Sequence, residues 1–236
     1  MKGDEDMNKR RIFSLLLASI LLLEVSGCMP FSPKLTDVAL KMMKEKYGVE
    51  FTIVERWGGT LSSKSYGYLV TCDSFPDDKI NIEVTRMDDG TIRCRDNYLS
   101  YFYYEQTKEK LNEIIGTVFQ EWKLRYKIQP YLISELISSN ASFDEFIKVT
   151  SIFISINVCV VDNNTDNKQQ NIDTLINLFI NNNIFLSCGV FYTNLSNFIN
   201  IDFNNYQSYM VIDNRYNAIC SFALKENGDF LYFDWS

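Results

Sequence analysis

The chain has 236 residues, 46% of them hydrophobic and 14% aromatic, enough apolar material to build a core, which disfavours disorder. Its formal charge is −7 and it holds no histidine. The missing imidazole removes Ser-His-Asp and Cys-His catalysis, histidine metal sites and histidine pH switching. Past residue 28 the Lys and Arg residues form no cluster, which disfavours nucleic-acid binding.

The first predicted element is a basic head, Asn8-Lys9-Arg10-Arg11, followed by the apolar run Ile12–Leu23. As a helix those twelve residues would span roughly 18 Å. The hydrocarbon core of a bilayer is about 30 Å thick, so the run is too short for a comfortable crossing. A basic head, a short apolar run and a small-residue end describe a secretory signal. That end is Val25-Ser26-Gly27-Cys28.

Those four positions resemble the lipobox of bacterial lipoprotein precursors: an aliphatic residue, a small or β-branched residue, Gly, Ala or Ser, then Cys. The resemblance implies that the Cys28 thiol carries a diacylglyceryl group and that residues 1–27 are cleaved away. It also implies that the rest of the chain works on the extracytoplasmic face of the cell membrane. Two acyl chains suffice for stable attachment where one holds only marginally. Glu24 sets a charge where the family is apolar or small, and Lys2–Asp6 adds acid to a region that should be basic. Met7 therefore fits better than Met1 as the start of the signal. Cleavage would leave 209 residues, of which 19 are basic and 26 acidic.

Residues 28–33 read as a tether. Ser32-Pro33 has the form of a helix cap and first helical residue, and Leu35, Val38, Ala39, Met42 and Tyr47 recur at helical spacing before Gly48. A helix over 34–47 follows. Strands are expected at 50–57, 65–73, 79–87 and 91–103, with Asp89-Gly90 as a two-residue hairpin turn. In a meander Cys72 and Cys94 lie on strands flanking a third, so no bond is expected between them: neighbouring strands are about 4.8 Å apart and a disulfide needs Cα atoms within about 7 Å. A helix over 105–125 carries the stripe Leu111, Ile114, Ile115, Val118, Phe119 and Trp122. Residues 34–126 thus read as a helix–antiparallel meander–helix unit.

Asparagine becomes abundant beyond 127, with 17 from Asn157 to the end, which favours polar loops and helix caps. Strands are expected at 128–134, 151–161, 184–192, 216–224 and 229–234, and helices near 142–150, 168–181 and 194–199. Asn227-Gly228 marks the last hairpin turn. Residues 127–236 form a second small α/β unit with some parallel pairing, and the fold class of the whole is α+β.

Five cysteines follow Cys28: Cys72, Cys94, Cys159, Cys188 and Cys220, an odd number without a CxxC pair. They read as buried free thiols that pack as small hydrophobes. Asp162, Asn164, Asp166 and Asp173 fall at positions 1, 3, 5 and 12 of an EF-hand-like calcium loop. Position 6 is Asn167 where glycine is needed, position 12 has the shorter carboxylate arm, and a strand precedes the loop. A capping box of Asp166 and Gln169 at the start of the following helix accounts for the same residues. The run Tyr98, Tyr101, Phe102, Tyr103 and Tyr104 could offer an aromatic face to carbohydrate or peptide. Paired carboxylates such as Asp77-Asp78 and Asp88-Asp89 fall in turns, and Asp144-Glu145 falls on a solvated helix face.

With the signal, the Asn/Ile/Lys-rich usage and the segment KYGVEFTIVERWGG (residues 46–59), the body resembles small uncharacterised lipoproteins of low-GC Gram-positive bacteria. That resemblance implies no activity and no cofactor. The reading is a membrane-anchored, non-enzymatic binding or interaction module with a protein or peptide partner at the cell surface. The runner-up is an extracytoplasmic carboxylate-dependent hydrolase, which would show two carboxylates facing each other across a cleft. A third reading is an accessory to a membrane complex.

Overall fold

A computed structural model describes residues 33–58, 64–128, 133–163, 167–201 and 216–236. Val25, Ser26, Gly27 and Cys28 lie outside the described residues, as do Asn164 and Asp166.

The chain is α+β, with two sheets. Helix α1 (Pro33–Tyr47) opens on a proline, whose missing N–H would have no helical partner at that position. Leu35, Ala39 and Met43 are buried four residues apart on one face. Gly48 ends the helix in the left-handed conformation, φ +70°, and its N–H donates to the Lys44 carbonyl at 2.8 Å.

Four strands follow: β1 (Thr52–Trp57), β2 (Ser65–Cys72), β3 (Phe75–Arg86) and β4 (Ile92–Asp96). They form an antiparallel meander in sequence order. Alternation fixes its inner face: Tyr68, Val70 and Cys72 of β2 and Ile80, Ile82 and Val84 of β3 are all buried. The β3–β4 hairpin turns at Asp88-Asp89-Gly90, with Gly90 at φ +83°. Cys72 and Cys94 lie on β2 and β4 with β3 between them, and both are free thiols.

The sequence pattern misplaces the next boundaries. The strand expected to run to 103 stops at Asp96, and helices α2 (Tyr98–Phe102) and α3 (Tyr104–Val118) follow. Asp96 and Asn97 turn the chain: Asp96 Oδ1 accepts from the Tyr98 N–H at 3.0 Å, and the Ser100 N–H donates to the Asn97 carbonyl at 3.1 Å. Helix α3 ends at Val118, not 125, because Phe119 is already extended and Trp122 begins β5 (Trp122–Ile128). The Trp122 ring folds back onto Gly116, where a Cβ would come within 2.7 Å of it, and its indole N–H donates to Asn112 Oδ1 at 3.0 Å. The strand expected at 128–134 is thus six residues early, and Ile133–Glu135 is a 3-10 turn.

Helix α4 (Phe143–Thr150) leads into β6 (Ile154–Val161); helix α5 (Lys168–Asn181) crosses over to β7 (Ser187–Thr193). Helix α6 (Leu195–Asn200) precedes the final hairpin of β8 (Ala218–Leu224) and β9 (Phe230–Trp235). The second sheet runs β5-β6-β7-β8-β9. Among the described residues of this sheet β6 and β7 alone pair in parallel, as a helical crossover requires.

Among the described residues two large hydrophobic cores result, with a small third cluster of Cys159, Phe198 and Ile201. The first gathers α1, the meander and α2 with Ile133, Ile137, Ala141 and Phe146. The second gathers Leu111, Ile114 and Ile115 of α3, Tyr126 of β5, α5 and the inner face of β6–β8. Residue 126, expected to divide the two units, therefore falls inside β5. Helix α3 packs into the second core, and the chain then returns through 133–146 to finish the first.

Candidate functional site: an aromatic cleft between two helices and a strand

Strand β5 passes close to α2 and the start of α3. There a cleft of about 300 Å³ is lined by Asn97, Ser100, Tyr101, Tyr104, Tyr126, Lys127 and Ile128. Its walls are more apolar than polar. Three tyrosines supply them, and two are pinned through their hydroxyls. The Tyr126 hydroxyl donates to the Tyr104 carbonyl, and the Tyr101 hydroxyl donates to the Lys79 carbonyl at 3.0 Å. The Tyr104 and Tyr126 rings stack with centroids 4.7 Å apart. Burial pushes the Tyr126 and Tyr101 phenols above their ordinary range, reinforced by neighbouring Glu105 and Asp78. Asn97 Oδ1 is engaged by the Asn81 N–H at 2.8 Å. Ser100, 8% exposed, has a buried Oγ without a hydrogen-bond partner.

Of the aromatic run read from the sequence, the fold divides the members. Tyr98 and Tyr103 are buried in the first core, and the Tyr103 hydroxyl donates to the Ala141 carbonyl at 2.5 Å. Phe102 and Tyr104 stay about half exposed. Tyr101 and Tyr104 reach the cleft. Ser100 precedes Tyr101 in α2, whereas Tyr126 and Ile128 join them only through tertiary packing, so no local pattern announced those two.

A second polar cluster lies under α1. Asp96 is fully buried. Its carboxylate accepts from Lys46 Nζ at 2.9 Å and the Tyr47 hydroxyl at 2.8 Å. Burial and the Asp96 charge raise the Tyr47 phenol. Cys94, beside a recess lined by Met42, Met43, Glu45 and Lys46, is pushed up to about 12 by burial and by Asp96. It stays a thiol at neutral pH. Burial likewise raises Cys159 and Cys220 to about 12, and Cys188 well above its ordinary value. These four are packing residues and poor nucleophiles, since the thiolate is the reactive form.

The calcium-loop candidates separate. Asp162 follows the end of β6, where its largely covered carboxylate pairs with Lys168 at 2.8 Å and accepts from Asn217 Nδ2 at 2.8 Å. Asp173 sits in the second turn of α5 and accepts from Gln169 Nε2 at 2.8 Å. The cap of α5 is Asn167, accepting from the Gln170 N–H at 3.1 Å, in place of the expected Asp166. Among the described residues no three His, Cys, Asp or Glu side chains are grouped to hold a metal ion. Nearby, a small polar recess is lined by Gln120, Glu121, Asn163 and Asn171, with one carboxylate among them.

No protein-family model matches the chain, and no curated protein matches it. A crystal structure of a DUF5037 family protein from Ruminococcus gnavus is similar over 82% of this chain and 93% of that one, with 10% sequence identity and a TM-score of 0.45.

Proposed function

We propose that this chain is an extracytoplasmic protein held to the cell membrane through a lipid on Cys28, and that its folded part is a non-enzymatic binding module. The observation that carries the binding reading is the cleft between α2, the start of α3 and β5. It has the minimum size of small-ligand sites, a mostly apolar lining and few polar groups. Among the described residues no carboxylate lines it, whereas the hydrolase reading needs two facing one another. The anchor reading rests on Val25-Ser26-Gly27-Cys28. Among the described residues no helix is long and apolar enough to cross a membrane.

The anchor is tested by growing cells with an alkyne-bearing fatty acid and fractionating them. The native chain incorporates the label and partitions with membranes, while Cys28→Ser stays unlabelled and unprocessed. A Cys28→Ser chain found in membranes at mature size would overturn the anchor. The binding reading is tested at the cleft itself, with Tyr104→Ala as the reference variant. Its half-exposed ring can be removed with little cost to the core, and ligand binding is expected to fall while the melting temperature holds.

A further inference from the structure

We propose that β9 is a self-docking edge: two copies of this chain pair β9 to β9, antiparallel about a two-fold axis, and join their five-stranded sheets into one. The inference goes beyond the binding reading and needs neither the cleft nor the anchor. Among the described residues the two sheets end on β1 and β4 and on β5 and β9. Natural sheets blunt such edges with charge, above all with lysine. Strand β1 carries Glu55 and Arg56, β4 carries Arg93, Arg95 and Asp96, and β5 carries Lys123, Arg125 and Lys127. Strand β9 reads FLYFDW, with Asp234 as its one charge. Its Phe230, Leu231, Tyr232 and Phe233 are 38–67% exposed. Phe230 and Phe233 stand opposite Leu224 and Phe222, which are buried in the second core. The apolar inner face of the sheet thus runs on into β9, where the two phenylalanine rings touch at 5.4 Å between centroids and stay open to water.

Backbone and charge select the register. Ser236 and Ile219 exchange both of their bonds, at 2.8 and 2.9 Å, and the ladder continues unbroken to Tyr232 and Ala223. Alternation therefore turns the peptide groups of Tyr232 and Asp234 toward β8 and those of Phe233 away from the sheet. Pairing centred on Asp234 would set like charges face to face, which is destabilising. Pairing centred on Tyr232 sets Asp234 opposite Phe230 of the second copy. The two carboxylates then lie about 14 Å apart along the strands, beyond the screening length of about 10 Å at 0.1 M salt. Leu231 of each copy meets Phe233 of the other, and aromatic and aliphatic cross-strand pairs of this kind stabilise sheets. The contact is self-complementary and closes at two copies. The four exposed side chains offer roughly 400 Å² per copy. A total of about 800 Å² falls below the roughly 1,200 Å² of a standard interface and marks a weak, reversible dimer, so the chain is monomeric at micromolar concentration.

The experiment is oxidative cross-linking of the full chain in cells, with a cysteine placed on the axis. Tyr232 facing its copy is a non-hydrogen-bonded pair with Cα atoms about 4.5 Å apart, within the reach of a disulfide. Tyr232→Cys is expected to yield a disulfide-linked species of twice the chain mass. Lys225→Cys, at the exposed turn of the same hairpin, and the native chain are expected to stay single. Adding Leu231→Lys or Leu231→Glu to Tyr232→Cys should abolish the cross-link while the melting temperature holds. Co-expression of those two double variants should restore it, because opposite charges then meet beside the axis. Sedimentation of the purified full chain gives an independent reading: the average mass should rise between about 10 μM and about 1 mM for the native chain and stay that of a monomer for Leu231→Lys. No cross-link from Tyr232→Cys, or one that survives Leu231→Lys, overturns the proposal. A cross-link to a chain of different mass overturns the second copy and assigns the edge to a foreign strand.

Discussion

The two cores solve burial in opposite ways. The first is closed by a charge: Asp96, fully buried, ties the end of α1 to β4 and the start of α2 through Lys46, Tyr47 and the Tyr98 N–H. The second is closed by apolar packing of α3 and α5 on one sheet face, with Cys188 and Cys220 filling small gaps among leucine, isoleucine and phenylalanine. A buried carboxylate is directional and stands or falls with its partners, whereas apolar packing is forgiving of detail. The first core should therefore break at one residue and the second only by degrees.

The sharpest way to break the contrast is Asp96→Ala. It removes the buried acceptor of the half-buried Lys46 and of the Tyr47 hydroxyl and is expected to cost about 2–3 kcal/mol, the usual effect of losing hydrogen bonds to a charged group. Urea denaturation measures it, and a loss under 1 kcal/mol would mean that α1 is held by its apolar stripe alone.

The thiols Cys188 and Cys220 test the second core, and Cys159 tests the small cluster that it forms with Phe198 and Ile201. Their folded pKa values are raised, so stability is fully present below the unfolded thiol value of about 8.5 and falls as pH climbs toward 12. Each thiol that ionises only on unfolding contributes a decline of about 1.4 kcal/mol per pH unit over that window. Urea midpoints at pH 8 and pH 10.5 read it directly. In the same range iodoacetamide should label Cys159, Cys188 and Cys220 only after denaturant is added.

A smaller effect belongs to the junction. Ser142 caps α4: its Oγ accepts from the Glu145 N–H at 3.3 Å, and Glu145 Oε2 accepts from the Ser142 N–H at 2.8 Å. Ser142→Ala should cost about 1 kcal/mol. The smallest expected change in stability is Leu231→Lys. Leu231 is 67% exposed at a bulge in β9, an edge strand whose Phe230, Tyr232 and Phe233 are also exposed. A lysine there should leave the melting temperature unchanged and reduce aggregation at high concentration, read by light scattering.

Much of both cores was legible in the sequence because their patterns are local. The meander followed from alternation at Ile80, Ile82 and Val84 and from the Asp89-Gly90 turn; α5 followed from helical spacing and matched residue for residue. The stretch between Asp96 and Ile128 was misread because two periodicities overlap there. Tyr98 to Tyr104 suits a strand by composition, yet Asp96 and Asn97 bend it into a helix. Phe119 and Trp122 extend a helical stripe on paper, but Trp122 packs back on Gly116 and takes β5 with it. The cleft lies in that stretch. Tyr101 and Tyr104 could be named from the sequence, whereas Ser100 and Tyr126 meet only once β5 is placed.

The path of the chain between the cores has a further consequence for how the molecule is made. Helix α3 is surrendered to the second core before the first is complete, and Phe146, fully buried in the first, comes more than forty residues after α2 begins. Synthesis must therefore pass residue 146 before the first core can seal, and by then β5 is already waiting for β6. No single cut of the backbone between α3 and α4 yields a fragment that owns a whole core. The two halves are interleaved like the folds of a splice, and they stand to gain their order in one joint step.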